Sequence, residues 1–513
     1  MDIGILPNDP SPAFDLDDFV AAHESKDQLR LITCGSVDDG KSTLLGRLLW
    51  ETQMVADDQV AALATASRRH GTQGDAMDLA LLVDGLAAER EQGITIDVAY
   101  RFFTTDKRRF IIADTPGHEQ YTRNMATGAS NADLAILLVD ARAGATAQTR
   151  RHALIASMLR VRHVVVVVNK MDLVGWSEAR AAEIGAEARA FCAGLGFDSL
   201  VVIPLSALSG ENVVRRGPSS PWHKGPTLLE HLESVPVLPA EPSPFRMAVQ
   251  WVNRPDASFR GLSGEVTGGA VRVGDAVAIL PAGQRAEIAR ILGADGDVDA
   301  AGAGEAVTLV LDRPVDVSRG DVLADPARPA SVGRHLAARL LWSADAPAAV
   351  GDRFLLKLGT RTVTARLDRL IGRVALDTLK VEPIATLGPN DVADVVLTLE
   401  RPVAYDPYAD SRVMGGFVLI DPETFDTVAL GLVRGSAAAP AQVNDTQIRS
   451  LAKAVSYRTL GSFATAAIAW FYTGSVGASA AIGGVDAISK MAIYFAHERL
   501  WARIPFGRKV RRA

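Results

Sequence analysis

Residues 29–33 form a short, mostly apolar run that leads into a glycine-bearing loop and then into a helical pattern over Thr43–Trp50. Further short β-rich runs follow at Phe110–Ala113, Leu134–Val139, Val164–Val168 and Leu200–Pro204, separated by helix-length polar and alanine-rich stretches. Continuous apolar strands alternating with helices predict a mostly parallel sheet covered on both faces. From about Val235 the texture changes: Pro236, Pro239, Pro242 and Pro244 mark a linker, and helical patterns nearly vanish. Period-two alternation (Phe245, Met247, Val249, Trp251) and glycine turns such as Gly268-Gly269 fill 244–330, and 335–436 repeats that style. Many short strands with regularly spaced turns predict two small β-barrels. A second, Ala/Pro-rich linker spans Ser436 to Gln442. The expected organisation is an extension at 1–26, an α/β domain at 27–235, barrels at 244–330 and 335–436, and a hydrophobic two-helix module at 443–513.

Composition narrows the function classes. With 48% hydrophobic and 22% charged residues over 513 positions, the chain is neither disordered nor collagen-like. Its two cysteines, Cys34 and Cys192, cannot build a disulfide scaffold and read as buried thiols of a reducing cytoplasm. The net charge of −6 is unevenly spread: residues 441–513 carry ten Lys and Arg against three Asp and Glu, a net +7, which leaves 44 against 57, or −13, on the remainder. An acidic body argues against a general polyanion binder, so no nucleic acid partner is expected. The acidic first twenty residues lack the pattern of a secretory signal.

The segment Gly35-Ser36-Val37-Asp38-Asp39-Gly40-Lys41-Ser42 fits GxxxxGK[ST] and stands after a strand and before a helix that Thr43 helps to open. In that setting backbone N–H groups wrap phosphates, Lys41 places a charge on the β and γ groups, and Ser42 ligates Mg²⁺. Asp39 is an unfavourable charge beside phosphates and is expected to point away. Asp114-Thr115-Pro116-Gly117-His118 follows the strand at 110–113, supplying a carboxylate for the Mg²⁺ site and a glycine N–H for the γ-phosphate. Asn169-Lys170-Met171-Asp172 follows the strand at 164–168, and its Asp172 accepts two hydrogen bonds from guanine N1 and N2, an edge adenine lacks. Ser206-Ala207-Leu208, after the next strand, is placed to touch the base through its backbone.

Four such segments in this order resemble the P-loop GTPases, and Glu89-Arg90-Glu91-Gln92-Gly93-Ile94-Thr95-Ile96 resembles the first switch of their translation-factor branch. The resemblance implies GTP and Mg²⁺ as cofactors, metal ligation by Ser42, Thr95 and Asp114, and a catalytic group of His118, Lys41 and Thr95 in which His118 orients the attacking water. It also implies an elongation-factor-like architecture: an α/β P-loop GTPase domain, two β-barrel domains, and here a C-terminal α-helical hairpin. No arginine finger is identifiable, which leaves completion of the site to a partner. Within the branch, Asp78-Leu79-Ala80-Leu81-Leu82-Val83-Asp84-Gly85-Leu86, Glu119-Gln120-Tyr121-Thr122-Arg123-Asn124-Met125 and Gln250-Trp251-Val252-Asn253-Arg254-Pro255 look like the GTPase subunit of bacterial sulfate adenylyltransferase. That resemblance runs from about Asp27 to about Gly435 and implies a separate catalytic, adenylyl-transferring partner subunit. The partner makes adenosine 5′-phosphosulfate and pyrophosphate from ATP and sulfate, driven by the GTPase cycle. The competing reading is an elongation factor delivering aminoacyl-tRNA; Ser36 and Asp39, where translation members commonly carry other residues, favour the sulfate reading. No second GxxxxGK[ST] loop follows Gly435, so adenylylsulfate kinase activity is not expected.

In the tail, Thr459 to Thr473 is uncharged and 478–496 is apolar but for Asp486 and Lys490. Basic residues flank the pair: Arg449, Lys453 and Arg458 before it, Arg499, Arg503, Arg508, Lys509, Arg511 and Arg512 after it. The pattern suits a hairpin with both ends cytoplasmic and predicts contact with the inner face of the cell membrane through residues 443–513. The alternative is a soluble helical hairpin covering an apolar surface, because each run is short for a span of about 20 residues.

Overall fold

The strand runs read from the sequence assemble, in the computed structural model, into one six-stranded sheet of order β2-β3-β1-β4-β5-β6. The structure describes residues 26–55, 57–70, 77–83, 95–237, 243–256 and 259–438, then 442–445, 508–511 and single positions between those two strands. The strands are β1 (Gln28–Cys34), β2 (Ala99–Thr104), β3 (Arg109–Asp114), β4 (Leu134–Asp140), β5 (His163–Asn169) and β6 (Ser199–Pro204). All neighbours are parallel except β2, which runs antiparallel to β3 at the sheet edge. Every residue of β4 and β5 is buried. The strand pleat divides them: Val164, Val166 and Val168 pack into one apolar layer, Val165 and Val167 into the opposite one. That two-sided burial explains the unbroken apolar runs.

Helices α1 (Lys41–Glu51), α2 (Asp57–His70), α3 (Thr122–Ala129), α4 (Ala147–Met158), α5 (Glu178–Cys192) and α6 (Leu228–Ser234) connect the strands or follow them. The Thr146 hydroxyl caps α4 and exchanges a reciprocal bond with Thr149, while Thr227 and Glu230 do the same for α6. Both cysteines are buried, and burial pushes their thiols up, Cys34 to about 12 and Cys192 to about 11.

Two closed barrels follow. In the first, β11 (Ala276–Leu280), β16 (Val322–Ala324), β7 (Arg246–Ala248), β9 (Gly261–Gly268), β15 (Ala306–Leu311) and β12 (Gln284–Leu292) form a ring closed by β11–β12 pairing. In the second, β19 (Arg353–Leu358), β24 (Gly416–Ile420), β25 (Thr427–Ser436), β17 (Ser331–Trp342), β23 (Val392–Tyr405) and β20 (Arg361–Val374) close through β19–β20. Arg246, on the first barrel, makes a two-pronged ion pair with Asp406, just past β23, at 2.8 and 3.2 Å. The second barrel lends Leu341, Val374, Val392, Tyr408 and Leu432 to one apolar layer of the α/β domain. Arg412 clamps that junction, donating to the carbonyls of Ser130, Ala132 and Arg160.

Residues Met1–Gly435 form one compact unit and Ser436–Ala513 another. In the second, strands Gln442–Asp445 (β26) and Arg508–Arg511 (β27) pair antiparallel, with Asp445 opposite Arg508. Most of the predicted helical hairpin, the extension at 1–25 and the segment 84–94 lie outside the described residues.

Candidate functional site

The C-terminal ends of β1, β3, β4, β5 and β6 open on one edge of the sheet, and the four glycine-, aspartate- and asparagine-bearing segments of the sequence meet there. The loop after β1 turns through Asp38 (φ 64°) and Gly40 (φ 91°) before α1 begins at Lys41. A side chain at Gly40 would stand 2.5 Å from the Asn169 amide nitrogen, so glycine is required for closure as well as for the backbone angle. Lys41 is buried, and its Nζ lies 2.8 Å from the Ser36 carbonyl and 3.5 Å from that of Gly35. Burial pushes the ammonium below its usual range, opposed by the neighbouring Asp114 and Asp39 carboxylates.

Asp39 is buried inside the loop, and its Oδ2 accepts the Ser36 N–H at 2.5 Å. The bond supplies a partner to an amide that the tight turn leaves without one, which outweighs the exposed alternative.

Asp114 ends β3 with its Oδ1 accepting the Thr33 hydroxyl at 2.6 Å, and the Thr115 hydroxyl donates to the Thr33 carbonyl at 2.5 Å. Pro116 is buried, and Gly117 packs so closely that an added Cβ would lie 2.4 Å from Lys41 Nζ. His118 is half-buried; its Nδ1 accepts the Gln120 N–H at 3.3 Å, which places the proton of the neutral ring on Nε2. Thr95 reaches the same place from the other side: its hydroxyl is 3.4 Å from that of Ser42. Residues Glu89–Ile94, which precede it, lie outside the described residues.

Asn169 ties two loops together, donating to the Asp39 carbonyl at 2.7 Å and accepting the Ala207 N–H at 3.0 Å. Lys170 sits at φ 62°, donates to the Asp38 carbonyl and pairs with Asp140 at 3.0 Å. Burial pushes the Asp140 carboxyl up, but hydrogen bonds from Arg142 and Lys170 outweigh it and hold the group well below its usual range. Met171 is buried beneath the turn, whereas Asp172 and Leu208 are exposed at its rim. Ser206 is buried, its Oγ accepting the Ser209 N–H, and Val37 is half-buried on the outer side of the loop. Thr43 lies in the first turn of α1.

Sequence reading missed His152. This buried α4 residue accepts the Gly35 N–H on Nδ1 at 3.0 Å, and burial lowers its pKa to about 3. Its neighbour Arg151 pairs with Glu119, the residue after His118, at 2.8 Å, and Asn390 of the second barrel donates to the Glu119 carbonyl at 3.2 Å. Arg47 was missed too; it donates to the carbonyls of Ala207 and Leu208 and so supports the base-side loop. Only Asp140 carried a signal, a carboxylate at a strand end beside the other loops.

The arrangement can hold an anionic chain in the glycine loop and a base between Lys170, Asp172 and Leu208. Fold and site together define a GTPase of the elongation-factor type: the family described as "Elongation factor Tu GTP binding domain" matches residues 26–238, and "GTP-eEF1A C-terminal domain-like" matches 335–434. A sulfate adenylyltransferase subunit 1 of Methylorubrum populi is 54% identical over 443 residues, 86% of this chain and 94% of that protein. The namesake of Citrobacter koseri is 48% identical over 436 residues, covering 84% and 92%. The chain belongs to the sulfate adenylyltransferase subunit 1 family. A solved structure of sup35 complexed with GDP is 27% identical, covers 80% of this chain and 95% of that one, and has a TM-score of 0.37. Residues 451–502 match a family described as "Predicted membrane protein (DUF2061)".

Proposed function

We propose that the chain binds GTP with Mg²⁺ at the β1, β3, β5 and β6 loops and hydrolyses it as the GTPase subunit of sulfate adenylyltransferase. The work of that hydrolysis goes to a partner subunit that forms adenosine 5′-phosphosulfate and pyrophosphate from ATP and sulfate. The observation that carries the reading is the convergence of Lys41, Gly117, Thr95 and Asn169 on one loop, in a chain 54% identical to a named subunit 1.

Lys41 and the loop amides hold the β- and γ-phosphates, and the Gly117 N–H meets the γ-phosphate. Two adjacent hydroxyls, Ser42 and Thr95, with the Asp114 carboxylate nearby, make a hard-oxygen donor set that fits Mg²⁺. When bound, the ion neutralises charge that develops on the phosphoryl oxygens. With its Nδ1 engaged by the Gln120 N–H, His118 uses Nε2 to orient a water, and Asp172 selects guanine by accepting from N1 and N2. The Asn390 contact to the Glu119 carbonyl gives the second barrel a direct hold on the residue after His118, while Arg151 of α4 pairs with the Glu119 carboxylate, so loss of γ-phosphate at that loop is felt by the barrel. The test combines the chain with its catalytic partner, ATP and sulfate and compares adenylylsulfate yield with GTP against a non-hydrolysable analogue. Higher yield with GTP is expected; equal yields refute the coupling.

The match of residues 451–502 to a predicted membrane protein family supports attachment of the tail to the inner face of the cell membrane. Among the described residues no helix is long and apolar enough to cross a membrane. Fractionation of cells carrying the full chain and a tail-deleted variant tests the attachment: both wholly soluble would refute it.

A further inference from the structure

A carboxylate stands inside the phosphate loop itself. Asp39 is the fifth residue of the glycine loop, 4% exposed, and its Oδ2 holds the Ser36 N–H at 2.5 Å. That bond spans the loop from one side to the other, while Asn169 grips the Asp39 carbonyl and Lys170 the Asp38 carbonyl from outside. Burial, with the Asp140 charge, pushes the Asp39 carboxyl above its usual range, opposed by the Ser36 N–H, Lys41 and Lys170, which favour its ionised form. Lys41 and Asp39 therefore act as counter-ions, each favouring the other's charge. The same Lys41 is the phosphate-binding cation of the proposed site, so the resident carboxylate competes with any bound polyphosphate for it. A like charge enclosed in the loop also repels the phosphates at short range, where solvent screens poorly.

We propose that Asp39 is a positioning residue with two opposed effects: its hydrogen bond to Ser36 preorganises the phosphate loop, and its negative charge limits the affinity for nucleoside diphosphate so that spent nucleotide leaves. The inference rests on the nucleotide reading above. It separates the two properties of one side chain, because asparagine retains an acceptor for the Ser36 N–H and loses the charge, whereas alanine loses both.

The experiment measures release of a fluorescent GDP from the full-length chain with magnesium present. Asp39→Asn is expected to release GDP about tenfold more slowly than wild type, equivalent to about 1.4 kcal/mol of relieved repulsion. Asp39→Ala, with a loosened loop, is expected to release it faster than Asp39→Asn. Competition by GMP should change less than competition by GDP in Asp39→Asn, since repulsion scales with phosphate charge and a merely structural defect does not. Should Asp39→Asn fold poorly, Asp39→Ser keeps a short uncharged acceptor and is read in the same way. Release from Asp39→Asn as fast as from wild type, or identical behaviour of the Asn and Ala variants, overturns the inference. Wild type that takes up no GDP overturns the nucleotide reading and this inference with it; uptake with an unshifted Asp39→Asn overturns the inference alone.

Discussion

Replacing Gly117 by alanine should separate GTP from GDP. A Cβ built there lies 2.4 Å from Lys41 Nζ and 2.8 Å from both the carbonyl carbon and oxygen of Ser36. The lysine tip can retreat, but the Ser36 backbone cannot follow it, because the Ser36 N–H is held by the buried Asp39 carboxylate at 2.5 Å. Relief must come from the 116–118 loop moving outward, which withdraws the Gly117 N–H from the γ-phosphate and shifts His118 with it. Loss of one hydrogen bond to a charged group costs about 1.5–3 kcal/mol. GTP affinity should therefore fall about 10- to 150-fold. GDP has no γ-phosphate to lose and should change by about threefold or less. Displacement of a fluorescent GDP by unlabelled GTP and by unlabelled GDP, at fixed magnesium, reads both numbers from one preparation. An equal loss for the two nucleotides would refute the argument, because it would mean that the added methyl deforms the whole loop; no loss for either would refute the packing itself.

Three further outcomes follow from other contacts. Asp172→Asn should erase most of the preference for GTP over ATP, read by competition of the two nucleotides for the labelled site. His152, held at about 3 by burial, takes up no proton near neutrality while the unfolded chain does so below about 6.5. Its contribution thus lowers stability as pH falls below about 6.5, by up to about 1.4 kcal/mol per pH unit, and is without effect above that range. Urea midpoints near pH 7.5 and near pH 5 should differ less in His152→Gln than in wild type. Arg246→Ala leaves the half-buried Asp406 without its two-pronged partner and should destabilise the barrels by up to about 3 kcal/mol, measured as a lowered urea midpoint with the α/β domain's nucleotide affinity retained.

Much of the site is readable from the chain because its loops follow strands buried on both faces, and such strands announce themselves as unbroken apolar runs. Asp114, Asn169 and Ser206 each follow an apolar run of this kind, while the glycine loop follows β1, whose run is broken by the exposed Arg30, and is marked instead by its own GxxxxGK[ST] spacing. Strand β2 escapes that logic: Tyr100 and Phe102 are exposed at the sheet edge, so the segment carries neither an apolar run nor a polar-out alternation. The barrels are legible as a number and spacing of turns, but not in strand order, which depends on pairings such as Ser331 with Tyr405 across 74 positions. His152 is hidden for the same reason. Its partner, the Gly35 N–H, lies 117 residues away, and within α4 nothing marks it off from a core histidine. Asp39 shows the limit of charge reasoning from sequence: repulsion by phosphate says what the side chain avoids, but only the fold shows the Ser36 amide that holds it.

Pairing of β26 with β27 sets Asp445 beside Arg508, so the two ends of the stretch 446–507 meet at a single two-stranded neck within the second unit. Such a stretch is a cassette: cutting it out and joining its two stems by a short turn would preserve the ladder beneath. Evolution or an engineer could exchange what the neck carries, with Met1–Gly435 left as a separate unit of its own.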